Sequence, residues 1–486
     1  MACDQKAANV AVSRVVPFFL GLIIIYTSWT FTRSLCIDYL LDSTTSSRGP
    51  RTGTAIGLLV AFYILLIVLL VSYLRLLVVL IWNPDYIPRG PQYIESQVET
   101  EANKRRGKSR GRRRPISDKS NGDVEWHGLG TIFKRPVEKS AYPVDASGLE
   151  AFYLKDVFVC KEDGRPAWCS SCYQFKSDRA HHCREVGRCI RKMDHFCPWV
   201  GGVVSETSFK FFIQLLFYTF LFTTLILVAL AIFVAQYRKE TGKLIVHWIV
   251  VLGLSTLFCL FSLGMLGSSI QLACVNSSTI ENLDRRTKVW TLAILIPTSL
   301  KFNGEGTEPQ AAPQFPIVSF SLPFGTCSPL QNTSDIDGSN QPRRDFAILH
   351  TKPGENPWDL GSPLANLKEV MGYSFLDWLS PLKVSPCTDH SNQESAFRLG
   401  PVVRRLRREA GLENWKSGGD FTPHDTAQRN RGRGKNRKLS DGSKAPSSHK
   451  RRKSEQRSRD IQKPPNTHGR NHSHHEPHRS DSSRNK

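Results

Sequence analysis

Four apolar stretches, residues 15–31, 55–80, 209–235 and 244–270, constrain this chain more than any other feature. Each approaches or exceeds the ~20 residues that a helix needs to cross the hydrocarbon core of a bilayer, and each carries almost no charge. The mean hydropathy of −0.28 suggests a soluble protein only because it averages these stretches with long basic ones. Taken segment by segment, the fold class is an α-helical multipass membrane protein with four transmembrane helices. Arg75 lies near the end of the second stretch, where a long side chain reaches the headgroups, so a span ending close to it is expected. The first stretch is expected to be retained and not cleaved as a signal peptide. No small-residue cleavage site follows it cleanly, and Trp29 and Arg33 suit interfacial anchors.

Four crossings place both termini and the loop 83–208 on one side. That loop contains KRRGKSRGRRR at 104–114 and the C-terminal tail is strongly basic, whereas the first connecting loop sets Arg48 and Arg51 against Asp38 and Asp42. An excess of Lys and Arg marks the cytosolic side, so the loop and both termini are expected in the cytosol. The sequons at Asn276, Asn332 and Asn471 are then expected to stay unmodified.

The chain divides into a cytosolic N-terminus (1–14), helices one and two (15–82), a basic linker (83–145), a cysteine-rich domain (146–208), helices three and four (209–270), a cytosolic C-terminal domain (271–385) and a basic tail (386–486). The run VWTLAILI at 289–296 is too short to cross a bilayer and is expected as a buried strand or short helix. From about Arg404 onward large apolar residues become rare, so the tail cannot bury enough surface to fold and is expected to be disordered. Its charge suits attraction to anionic lipid or plain solvation. No nucleic-acid partner is expected, because no aromatic-interleaved basic motif accompanies the charge. The histidines of 472–478 are given no role.

Six of the twelve cysteines lie between Cys160 and Cys197. In a reducing cytosolic loop such clustering points to metal binding or catalysis, not to disulfides. Cys169, Cys172, His182 and Cys189 have the spacing of one structural, tetrahedral zinc site, with His181 the alternative imidazole. The metal's binding energy would act as folding energy for a loop that has little core. Asp194, His195 and Cys197 are a carboxylate, an imidazole and a thiol within four residues. The ring can take the thiol proton while the carboxylate orients it, although a Cys and a His in such a loop also suit metal ligation. Because the third apolar stretch starts about ten residues later, this thiol is expected at the membrane surface, within reach of a lipid chain and a soluble carrier.

With these residues in place, the chain resembles the DHHC family of palmitoyltransferases, multipass enzymes with a cysteine-rich loop between the second and third of four spans. Residues 83–88, NPDYIP, resemble the family's DPG element; Ser278-Thr279-Ile280-Glu281 resembles its TTxE element; NPWDLG at 356–361 with Asn366 resembles its C-terminal packing motif. The resemblance covers most of residues 15–385. It implies that Cys197 takes the acyl group of a long-chain acyl-CoA, palmitoyl-CoA above all, and passes it to cysteines of protein substrates, with His195 as base and Asp194 orienting it. The chain also departs from the family. Members usually bind a second zinc, but Cys183, Val186, Phe196 and Val203 stand at those positions, so a single zinc and a small apolar cluster are expected. The name motif becomes Asp-His-Phe-Cys, and Gly202 and Ser208 replace the usual asparagines after it. Cys183 is left as a free thiol open to acylation. Arg188, Arg191 and Lys192 suit either CoA phosphates or a solvated face, and the TTxE-like and NPWDLG elements are expected to pack without taking part in chemistry. The competing function is a non-catalytic zinc-containing membrane scaffold, against which the intact Asp194, His195 and Cys197 argue.

Overall fold

The structure, a computed structural model, describes residues 2–42, 49–110, 148–297, 314–321 and 343–412. Most of the expected disordered tail, the later part of the basic linker, Asn332, Asn471 and the 472–478 histidines lie outside the described residues.

Helix α1 (Ala2–Trp29) continues as a π-helical segment over Thr30–Leu41, and α2 spans Thr52–Trp82. In chain order there follow α3 (Pro91–Arg110), the short α4 (Glu150–Tyr153), α5 (Phe209–Thr241) and α6 (Val246–Cys274). Among the described residues, four helices are long and apolar enough to cross a membrane: Gln5–Leu41, Thr52–Trp82, Phe209–Thr241 and Val246–Cys274. All four are longer than the hydropathy stretches. Apolarity marks only the hydrocarbon-crossing part, whereas a helix of 31 residues rises about 46 Å and extends past a core of about 30 Å. The segment 2–14, expected as a separate N-terminus, is therefore the first part of α1. The helix α2 runs two turns past Arg75 to Trp82, and the Arg75 guanidinium lies 5.1 Å from the Phe211 ring centroid, a cation–π contact between α2 and α5. Phe31, Phe62 and Phe222 join the π-helical segment, α2 and α5 through ring contacts of 4.5 and 5.0 Å, and fully buried Trp248 of α6 donates to Ser34 Oγ at 3.0 Å.

Strand β1 (Val157–Val159) opens the cysteine-rich loop, which then folds as three hairpins: β2 (Trp168–Cys169) with β3 (Gln174–Phe175), β4 (His181–Cys183) with β5 (Arg188–Ile190), and β6 (His195–Cys197) with β7 (Gly202–Val204). After α6 come α7 (Thr279–Leu283), β8 (Thr291–Leu295), β9 (Ile317–Ser321), β10 (Arg343–His350), α8 (Pro363–Met371), α9 (Phe375–Leu379) and α10 (Pro401–Glu409). Strands β1, β8, β10 and β9 form an antiparallel sheet in that order, with Phe158 and Ile348 both opposite Ala293. The VWTLAILI run is thus a strand, buried on both faces, which explains its unbroken apolarity. One face packs Val157, Leu292, Ile294 and Ala347 against Val403 and Leu406 of α10; the other packs Phe158, Ala293, Phe346 and Ile348 around Tyr153.

Residues 386–412 differ from the expected disordered tail: they are packed. Val403 and Leu406 lie three apart on one face of α10 and cover the sheet, while Arg405 and Arg407 pair with Glu355 and Glu394 at 2.5 and 2.7 Å. Composition hides two buried residues set among four arginines; their spacing decides the outcome.

Candidate active site and metal centre

The hairpins place donors by strand alternation. On β4, His182 sits directly opposite Cys189 of β5, and its side chain points to one face while Cys183 points to the other. Cys169 and Cys172 flank the tight turn between β2 and β3, where Cys172 N donates to Cys169 O. The ligand atoms of Cys169, Cys172, His182 and Cys189 all lie within 4.8 Å of one another, and His182 Nδ1 is 3.6, 3.3 and 3.9 Å from the three sulfurs. Zinc with ordinary bond lengths to sulfur and nitrogen sets a tetrahedral S···N edge of about 3.5 Å, so this donor set fits the ion. His181 is outside the cluster, because the same alternation turns it to the opposite face, where burial holds its pKa below the usual value.

The opposite faces collect hydrocarbon. Phe196 pairs across its hairpin with Val203, and these two pack with Cys183, Val186, Ile190, Met193 and Ile280. Cys183 is a free thiol, as expected, but it is 1% exposed and burial pushes it up to about 11, which disfavours the exposed thiolate that an acylation acceptor needs.

His195 and Cys197, two apart on β6, share the face away from this cluster. Asp194 Oδ2 lies 2.6 Å from His195 Nδ1. Burial disfavours the charged ring, but hydrogen bonds to Asp194 and Cys197 outweigh it and push the imidazole up to about 9. The chain then turns over Pro198–Val200 and closes at Gly201, whose φ of 70° suits glycine. Cys197 is 4% exposed, and the space open to it is the apolar cavity enclosed by the four spans. This cavity has an empty volume of about 1280 Å³, including its mouth. Both Phe212 and Ile226 line it, so it runs about 21 Å along α5 at 1.5 Å per residue.

The sequence reading missed two residues. Thr279 donates its backbone N–H to Asp194 Oδ1 at 2.7 Å and its hydroxyl to Asp194 Oδ2 at 2.9 Å, so the TTxE-like element orients the carboxylate as well as packing. A signal was present: Ser278 and Glu281 form a capping box that satisfies each other's N–H groups, leaving the first helical N–H free for an anion. Arg179, 4% exposed, holds this element in place with paired bonds of 2.7 and 2.6 Å to Glu281 and further bonds to Asn276. Asn276 itself is 3% exposed and donates to Trp358 O. Lys192 bonds to Asn276 from a buried position, which removes it from any phosphate-binding face, while Arg188 bonds to Ile87 O.

Residues 162–286 match the family model described as DHHC palmitoyltransferase. The chain is 47% identical over 447 residues, 89% of its own length and 98% of the relative's, to palmitoyltransferase pfa5 of Aspergillus fumigatus. It belongs to the DHHC palmitoyltransferase family. The enzyme is also 44% identical over 84% of its length to palmitoyltransferase pfa5 of Emericella nidulans, covering 88% of that protein. Palmitoyltransferase PFA3 of Saccharomyces cerevisiae is 28% identical over 55% of the enzyme and 69% of its own length. The enzyme is a protein S-palmitoyltransferase and an integral membrane protein; its family acts with acyl-CoA and protein substrates.

Proposed function

We propose that Cys197 carries the acyl group, with His195 as the base and Asp194 as its orienter. One observation carries this reading: Cys197 lies where the Asp194–His195 pair meets the apolar cavity between the spans. Hydrogen bonds to Asp194 and Cys197 hold the His195 imidazole up at about 9, so the ring can take the proton that Cys197 gives up on attack. The Cys197 sulfur attacks the carbonyl carbon of palmitoyl-CoA, the new C–S bond forms, and the CoA sulfur leaves with the proton held by His195. A substrate cysteine then gives its proton to His195 and attacks the acyl-Cys197 carbonyl, which restores Cys197. One thioester is exchanged for another, so no energy source is needed. The cavity receives the hydrocarbon chain in an apolar space, as such ligands require.

A single zinc held by Cys169, Cys172, His182 and Cys189 supplies structure alone, clipping two hairpins into register. Val186, Phe196 and Val203 hold the neighbouring hairpins by packing in place of a second ion. The catalytic loop faces the cytosol, in keeping with the basic charge of that side.

Purified enzyme in detergent, incubated with palmitoyl-CoA, is expected to form a hydroxylamine-labile adduct at Cys197. The adduct should be absent in Cys197→Ala and form at least about 100-fold more slowly in His195→Ala, the usual scale of general-base loss. Folded, zinc-loaded enzyme that leaves Cys197 unlabelled would refute the assignment.

A further inference from the structure

Residues 373–384 carry a run of exposed apolar side chains outside the four spans: Phe375, Leu376, Leu382 and Val384 are 67, 72, 76 and 58% exposed. Such a patch on an otherwise well-packed domain calls for an occupant. The backbone beneath it is fastened to the side of α5. Gln214 Nε2 donates to Trp378 O at 2.9 Å and to Ser380 O at 3.0 Å, and Tyr218 Oη donates to Leu379 O at 2.7 Å. Gln214 and Tyr218 lie about 8 and 14 Å along α5 from its start, level with Phe212, Leu215 and Thr219 of the acyl cavity wall. These carbonyls are therefore held by donors on a membrane-crossing helix.

Further polar groups at the start of the segment are satisfied internally. Ser374 and Asp377 form a capping box on α9, and Trp378 Nε1 donates to Gly372 O at 2.8 Å. Lys383, between the two outward apolar residues, pairs with Asp377 at 2.6 Å and is 71% exposed at its side chain. Carbonyls of 378–380 held by α5 side chains, apolar side chains turned outward and a lysine able to reach headgroups suit chain that lies in a lipid interface.

We propose that residues 373–384 are a monotopic membrane anchor, with Phe375, Leu376, Leu382 and Val384 entering the lipid beside α5. The occupant is lipid and not another protein, because the segment is fastened to a spanning helix level with the wall of the acyl cavity. The proposal rests on the four helices crossing a bilayer. Its consequence is positional: α8 and α9 belong to the same C-terminal domain as Thr279, so the anchor fixes the height of the group that orients Asp194 relative to the lipid.

The test uses the full-length enzyme in phosphatidylcholine vesicles, with benzoylphenylalanine replacing Phe375, Leu376 or Leu382 one at a time. Ile67 on α2 serves as the in-membrane reference and Ile317 on β9 as the out-of-membrane one. After irradiation, lipid adducts at 375, 376 and 382 are expected at yields close to that of Ile67 and several-fold above that of Ile317. Yields no higher than at Ile317, with normal labelling at Ile67, overturn the anchor. So does a cross-linked dimer in place of lipid adducts, which would assign the patch to a second copy of the chain. Loss of labelling at Ile67 as well would overturn the membrane reading on which the anchor depends.

Discussion

The two clusters of the cysteine-rich loop lie on adjoining hairpins and on opposite faces of the same strands, yet one gathers metal donors and the other gathers hydrocarbon. Cys169, Cys172, His182 and Cys189 bring four donor atoms within 4.8 Å; Cys183, Val186, Phe196 and Val203 bring one thiol and three apolar side chains into a buried knot. Both fasten short strands that have almost no core of their own. With zinc on the donor set, as proposed, hairpin register would be held by coordination in one cluster and by packing in the other, and the β6 face that carries His195 and Cys197 would have its back fixed by the second. The two solutions differ in size: structural zinc supplies apparent binding energies of about 10–16 kcal/mol, whereas a fully buried apolar side chain supplies about 1.5–3 kcal/mol.

The largest contrast comes from substituting one residue in each cluster. Cys172→Ser is expected to abolish zinc binding and unfold the cysteine-rich loop while the spans persist, read by metal analysis and by hydrogen exchange across residues 160–204. Phe196→Ala should cost about 2–3 kcal/mol, below the range for a fully buried phenylalanine because Phe196 is only partly buried, with zinc content unchanged at one ion per chain. Denaturation monitored alongside metal analysis decides this, and a loss of zinc would mean that the two clusters are not independent.

The third prediction concerns the face that both clusters support. Because His195 has its pKa raised to about 9 from 6.5, its contribution to stability is full below pH 6.5 and disappears as pH rises through 9. A shift of that size is worth at most about 3 kcal/mol. Asp194→Asn removes the strongest favourable partner, so its melting temperature should fall furthest below wild type near pH 6 and converge on it near pH 10. A gap that stays constant with pH would show that Asp194 acts on the fold and not on the imidazole. The smallest effect is expected of Cys183→Ser: less than about 1 kcal/mol and no change in zinc, since Glu185 Oε2 at 3.3 Å remains to accept the hydroxyl.

Much of the site was legible in the chain. Cysteine and histidine spacing within 169–197 reports metal ligation and thiol chemistry because those residues are close in sequence and held by short hairpins. Thr279 and Arg179 were not legible in the same way. Thr279 reaches Asp194 across 85 residues, and Arg179 reaches Glu281 across 102, so neither relation leaves a local spacing. The choice of His182 over His181 also waited for the fold, since strand alternation separates them only once the pairing of β4 with β5 is known.

By itself the sequence determined the existence of four helices long and apolar enough to cross a membrane, the cluster of donors that could hold a metal except for which histidine completes it, and the order Asp194, His195, Cys197. These follow from local properties: apolar length against bilayer thickness, and reactive side chains a few residues apart. Only the tertiary structure decided where the helices end, that Arg75 and Phe211 meet between α2 and α5, and that β1 joins a sheet with strands more than 130 residues away. It also decided that 386–412 fold and that Asp194 is oriented from beyond α6. Each of these depends on surfaces contributed by distant segments, and burial between such surfaces has no period or spacing in either segment alone.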